Sequence, residues 1–120
     1  MSQYNEGKKA FTASGAIARF ATVKLTSGSG TAVEVAGSNE ASIGFAEALA
    51  ASGETLTVKL KNTGGTYKAL ASGAFSAGAT LYQMAAGKVD DVSGGTARFV
   101  ALEAAAADGD VVEVLPITAY

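Results

Sequence analysis

The sequence predicts an all-β fold made of short antiparallel strands and built from two similar halves. Fifteen glycines divide the 120 residues at short intervals, which suits strands joined by tight turns better than long helices. The chain also repeats itself, because residues 14–23 align on 72–81 at an offset of 58, and residues 47–58 align on 103–114 at an offset of 56. A period of this length that occurs only twice indicates one pseudo-symmetric domain, since a solenoid needs three or more repeats.

Each half contains four candidate strands, in which apolar and branched residues alternate with polar ones or form short buried runs. In the first half they cover residues 17–25, 32–35, 43–46 and 55–61. In the second half they cover residues 79–84, 89–92, 99–102 and 111–115.

The segments between these strands read mainly as turns. The alanine-rich residues 48–51 and 104–107 have high helix propensity, but four residues support one helical turn at most. Residues 62–65 form a hairpin-type turn into a further strand at residues 67–70.

The repeat sets the domain organisation. Residues 14–120 form a single β domain that contains the two copies, residues 14–60 and 72–116. Residues 1–13 lie outside the repeat and are expected to form an extended N-terminal arm. The alternative is a frayed terminus without a role.

Composition argues against several classes of partner and against a secretory signal. The net charge of −2 leaves no basic surplus for phosphates, so neither nucleic acid nor an anionic membrane surface is an expected partner. No run of 18 apolar residues occurs, and the polar N-terminus lacks the apolar region of a secretory signal. The chain has no cysteine, so disulfides do not stabilise it and the redox compartment stays open.

The residue types needed for most catalytic sites are missing. Without histidine or cysteine, the chain lacks the commonest general base, the usual zinc ligands and every thiol nucleophile. The serines mostly lie beside glycine and are read as turn residues. We therefore expect no catalytic residue, no cofactor and no enzyme activity.

Two groups of carboxylates offer alternatives to this expectation. Asp90 with Asp91, and Asp108 with Asp110, resemble pairs of oxygen ligands, but residues of this kind around glycine favour turns over a calcium loop. Glu47 and Glu103 align in the repeat, and paired carboxylates can hydrolyse glycosides. The simpler interpretation is one solvent-facing or salt-bridged position that was inherited twice.

A Gly-acid-x-apolar-x-Val pattern occurs in both copies. It lies within residues 43–46 and 50–58 of the first copy and within residues 100–114 of the second, where it ends on Val-Glu-Val-Leu. Together with the glycine-rich turns, this pattern resembles the capsid cement or head decoration family of tailed bacteriophages over about residues 14–116. The resemblance implies a small barrel-like or tulip-like domain without an active site. Closure into a barrel also suits many short strands, because it removes their exposed edges.

The resemblance further implies a structural virion protein that is made in the host cytoplasm and binds the outer capsid surface as a homotrimer. The major capsid protein is the expected partner. A terminal arm commonly makes this contact in the family, so the predicted capsid-contact residues are Tyr4, Lys8, Lys9 and Phe11. The alternative function is a carbohydrate-binding or host-adhesion module on a virion or cell surface.

Overall fold

The computed structural model describes residues 7–61, 65–93 and 95–117 and shows two closed barrels of five short strands each. The strands of the first barrel are β1 Lys8–Ala13, β2 Thr22–Leu25, β3 Ala32–Val35, β4 Gly44–Ala46 and β5 Thr55–Leu60. Those of the second are β6 Tyr67–Ala71, β7 Thr80–Gln83, β8 Lys88–Asp90, β9 Ala97–Ala101 and β10 Val111–Pro116. A 3-10 helix, Ala85–Gly87, precedes β8. No helix within these residues is long and apolar enough to cross a membrane.

The two barrels have the same topology. Around the first barrel the strand order is β1-β3-β2-β4-β5, and β5 closes on β1. Around the second the order is β6-β8-β7-β9-β10, and β10 closes on β6. Pairing is antiparallel except between β1 and β3 and between β6 and β8, which run parallel. The all-β fold with two similar halves is therefore confirmed.

Each barrel has its own apolar core, which the inward-facing residues of its strands fill. Ile17, Val23, Val33 and Val58 are fully buried in the first core. The second core is richer in aromatic rings and is built from these buried residues: Phe45, Tyr67, Phe75, Leu81, Val89, Phe99, Val112 and Val114. One of them, Phe45, comes from a strand of the first barrel, so the second core extends across the junction between the barrels.

Backbone hydrogen bonds give the register of the repeat directly. Ile17 pairs with Ala50, and Phe75 pairs with Ala105 in the same way. Thus the offset is 58 at residue 17, as the sequence predicts, but 55 at residue 50. The offset returns to 56 at Gly53, whose N–H donates to Ala13 as that of Gly109 donates to Ala71.

The predicted equivalence of Glu47 and Glu103 is therefore wrong by one residue. The N–H of Glu47 donates to Thr57, and the equivalent bond runs from Leu102 to Glu113. The second copy has one more residue in the loop before Gly109 than the first copy has before Gly53. The position of this insertion cannot be read from the sequence alone, because the aligned segments of both copies consist largely of alanine.

The predicted arm needs correction over its second half. Lys8–Ala13 form β1, which pairs with β5 along five residues and also with β3. These residues are therefore part of the first barrel and do not extend from it. Without them the barrel would be open between β3 and β5. Residues 1–6 lie outside the described residues. The sequence also predicts one β domain over residues 14–120, where the structure has two barrels.

Three smaller expectations also change. In the candidate strand at residues 17–25 only Thr22–Leu25 is a strand, since Ile17 forms an isolated bridge. The alanine segments contain no helical turn within the described residues. β5 and β6 do not pair as a hairpin, because they belong to different barrels, and residues 62–64 of the predicted turn lie outside the described residues.

Candidate interaction site at the barrel junction

Phe45 on β4 joins the two barrels. Its neighbour Ala46 is buried in the first core, so alternation along the strand points Phe45 out of the first barrel and into the second. The ring is 3% exposed and stacks on Tyr67 at 5.0 Å between centroids, with Phe99 at 5.6 Å. Aromatic pairs of this geometry add to the free energy gained by burial, so this contact holds the barrels together.

Two lysines of the first barrel lie on the same aromatic rings. Lys59 Nζ donates to the carbonyl of Thr66 at 2.9 Å and lies 4.6 Å from the centre of the Tyr67 ring. Lys61 is 4% exposed, and its Nζ lies 5.4 Å from the Phe99 ring. Burial, together with the nearby charge of Arg98, lowers the pKa of Lys61 to about 8.

Backbone contacts reinforce the junction. The Tyr67 hydroxyl donates to the carbonyl of Leu60 at 2.5 Å. Gly87 donates its N–H to Ala36 at 2.9 Å, and Asn39 donates its N–H to Gln83 at 2.9 Å. Because polar and apolar contacts both cross the junction, the barrels form one elongated body of 42 × 26 × 23 Å.

An open cleft of about 350 Å³ lies between the barrels. Its lining combines one ion pair and three further charged side chains with aromatic rings and consists of Lys8, Phe20, Phe45, Glu47, Lys59, Thr66, Tyr67, Lys68 and Glu113. We call this the junction cleft.

Each charged group of the junction cleft has a polar partner, although only Lys8 and Glu47 pair with each other. Lys8 Nζ and Glu47 Oε1 are 2.8 Å apart, and the Thr66 hydroxyl donates to Glu113. Lys68 forms a longer pair, 3.5 Å, with Glu103 outside the cleft. These are exposed pairs on flexible side chains, so a charged partner can exchange with them at little cost.

The predicted capsid-contact residues fall into three groups. Tyr4 lies outside the described residues, whereas Lys8 lines the junction cleft and Lys9 is partly exposed on β1. Phe11 is 5% exposed in the first core. The prediction for Phe11 is therefore corrected, because a ring that fills the barrel interior offers no surface to a partner.

The acidic residues serve local structure. Glu47 pairs with Lys8, and Glu103 accepts a hydrogen bond from the N–H of Glu113 at 2.8 Å. Asp90 accepts a hydrogen bond from the Ser72 hydroxyl at 3.0 Å, and Asp110 caps the loop N–H groups of residues 106 and 107. Within residues 7–61, 65–93 and 95–117, no three Asp, Glu, His or Cys side chains are grouped closely enough to hold a metal ion.

Sequence reasoning did not single out Phe20, Phe45 or Glu113. A signal existed for Phe20, because the offset of 58 places it on Gly78. The first copy thus has a partly exposed aromatic ring where the second copy has glycine. Packing within one barrel does not require this ring, so it marks a difference between the two halves.

A family model described as phage cement protein matches residues 5–116, which is nearly the whole chain. The chain belongs to the phage cement protein family. It is thus a structural protein associated with the phage capsid, and the resemblance noted in the sequence is confirmed. No curated protein sequence matches this cement protein significantly.

A solved structure supports the fold of this cement protein independently. The chain is similar to the head fiber gp8.5 N base in bacteriophage phi29, with a TM-score of 0.75 and 18% identity over 93% of each chain. At this identity the likeness concerns the fold, and it covers both barrels together.

Proposed function

We propose that this cement protein binds the outer surface of an assembled phage head as a homotrimer and stabilises the shell. The observation that carries the proposal is the family match over residues 5–116. The rigid connection between the barrels, in which Phe45 packs into the second core, is consistent with this role. We also propose that it has no enzymatic activity, since its sequence lacks histidine and cysteine.

The major capsid protein is the proposed partner, and the side of the first barrel near the junction cleft is the proposed contact. Lys8, Lys59 and Lys68 line the cleft, and Lys9 follows Lys8 on β1, on the side of the strand that Phe11 shares. Exposed lysines of this kind mainly set the rate and salt dependence of association with an acidic partner surface. Ring faces such as Phe20 supply the apolar part of such a contact.

Co-sedimentation with undecorated capsids tests the proposal. Wild-type protein should pellet with the particles and saturate at a fixed number of copies per capsid. Lys8→Ala with Lys9→Ala should weaken this binding, and the remaining affinity should depend less on salt. Lys88→Ala removes a comparable lysine, paired with Asp108 at 2.8 Å in the second barrel, and serves as the control.

A second assay addresses the shell itself. Decorated capsids should resist heat or low salt better than bare capsids. Failure of wild-type protein to bind any capsid surface would contradict the proposal. Binding to glycans in its place would favour the carbohydrate-binding alternative.

A further inference from the structure

The second barrel exposes a cluster of apolar side chains on the outer face of β9 and β10. Among the described residues, six large apolar side chains are exposed, and four belong to this face. They are Leu102, 43% exposed, Val111, 44%, Leu115, 40%, and Ile117, 48%. Val100 lies opposite Leu115 in the strand register and completes the cluster. We call these five residues the apolar face.

The apolar face is the repeat equivalent of the face through which the first barrel packs on the second. The pairs Phe45 with Lys59 and Val100 with Leu115 hold the same place in the two barrels. Lys61 donates its N–H to the carbonyl of Ile43, and Ile117 donates to Arg98 in the same way. Val100, Leu115 and Ile117 are thus the counterparts of the three side chains that reach the aromatic rings at the junction. Leu102 is the counterpart of Glu47, and Val111 that of Thr55.

Burial and polarity run in opposite directions on these two faces. On the first barrel the part of the face that packs on the second barrel is covered, with Lys61 only 4% exposed, yet it carries two lysines. On the second barrel Ile117 is 48% exposed, yet leucine and isoleucine replace the two lysines. The charged residues on this side are Arg98, at the position of Ile43, and Glu113, at that of Thr57. An exposed sheet face normally carries polar side chains, so a group of large apolar side chains on such a face indicates a surface that binds a partner.

We infer that the apolar face binds a second copy of this chain, an inference that rests on the homotrimer of the proposed function. The equivalent face already packs against a barrel of this fold, and a second copy supplies such a barrel. That internal contact joins two different faces. A heterologous contact of this kind between copies closes into a ring only when the rotation from one copy to the next divides the full circle, as it does in a trimer. The apolar composition fits a lasting subunit interface better than a polar transient one.

The experiment replaces the apolar face with the residues of the first barrel. Leu115→Lys with Ile117→Lys restores the lysines found at the equivalent positions 59 and 61, and the barrel fold accommodates both there. Analytical ultracentrifugation of the full chain should show a trimer for the wild type. The double variant should be monomeric at the same concentration, with association about 100-fold weaker, since central apolar contacts dominate such interfaces. Leu49→Lys changes a side chain that is 77% exposed on the first barrel and should leave the mass unchanged.

Circular dichroism establishes that the double variant is folded, and Leu115→Ala with Ile117→Ala provides a second, milder variant. A folded variant that keeps the trimer mass overturns the inference, and so does a wild type that stays monomeric at every concentration. A variant that keeps the trimer but loses capsid binding also overturns it, because the apolar face then contacts the capsid. If the wild type associates through this face but binds no capsid, the inference stands and the proposed function fails.

Discussion

Phe20 and Gly78 occupy equivalent positions in the two barrels, and both adopt a positive φ, of 70° and 86°. Each donates its N–H across the barrel, Phe20 to Ala46 and Gly78 to Ala101. Glycine accepts this conformation freely, whereas a bulky side chain is strained there. The first copy therefore bears a local cost at the mouth of the junction cleft, where the Arg19 guanidinium lies 4.6 Å from the centre of the Phe20 ring.

The cost of this conformation can be measured in the second copy. Gly78→Ala should lower the free energy of unfolding by about 1 kcal/mol, because a Cβ is strained at this φ. No heavy atom lies within 4 Å of the added Cβ, so a clash does not contribute. Urea denaturation gives the value. Gly15→Ala, also in open space but without a positive φ, is the control, and an equal loss in both variants would argue against strain at residue 78.

Phe45 should dominate the coupling between the barrels. Phe45→Ala is expected to lower the free energy of unfolding by about 3–5 kcal/mol, because it leaves a cavity beside the stacked rings. Tyrosine fluorescence reports on the surroundings of the four tyrosines, Tyr67 at the junction among them, and far-UV circular dichroism reports on both barrels. In the variant the two unfolding curves should separate. Phe20→Ala, at a partly exposed ring, should cost much less, and comparable losses would refute the special role of Phe45.

Lys61 should make stability rise with pH. Its pKa is about 8 in the folded protein and 10.5 in an ordinary setting. Between these values the unfolded chain binds more protons than the folded one, so stability increases as pH rises from about 8 to about 10.5. The gain is roughly 3.5 kcal/mol, because the two pKa values differ by about 2.5 and each pKa unit corresponds to about 1.4 kcal/mol.

Lys61→Met isolates this contribution. The variant should be more stable than the wild type at pH 7, because an apolar side chain of similar length fills the same space without a buried charge. Chemical denaturation at several pH values should show the stability difference shrinking towards pH 10. A constant difference would mean that Lys61 keeps its charge over this range.

Two N-terminal deletions should behave differently. Removing residues 2–13 deletes β1 and opens the first barrel between β3 and β5, which also takes Phe11 and Ala13 out of the core. Cooperative unfolding of that barrel should be lost. Removing residues 2–6 leaves every described strand in place, so the melting temperature should change little. If Tyr4 contacts the capsid as the sequence predicts, the shorter deletion should still reduce co-sedimentation. A well-folded protein after the longer deletion would show that β1 is dispensable.

Local patterns were sufficient for most of the strands and for the duplication. The alternation in residues 55–61 and 111–115 predicts β5 and β10, because a strand with one buried face shows a period of two. The glycine turns and the offset of 58 predict two similar halves. The family resemblance also comes from the sequence alone, since it rests on short motifs whose spacing survives in both copies.

The site was less accessible to sequence reasoning. Lys8 and Glu47 are far apart in the chain, and only the pairing of β1 with β5 and of β5 with β4 brings them to one cleft. The sequence predicts Phe11 as an exposed anchor because residues 1–13 lie outside the repeat and are expected to form an arm. Its ring is buried because β1 is a half-buried strand, in which every second residue faces the core.

What the sequence determined by itself is therefore the local content: short strands, turns, two copies and the absence of histidine and cysteine. Tertiary structure decided which strands close each barrel and which outer faces remain open. Phe45 and Val100 occupy the same place in their barrels, yet one is buried and the other partly exposed. The physical reason is that burial of an outward-facing side chain depends on what packs against its barrel from outside, and no local period records that.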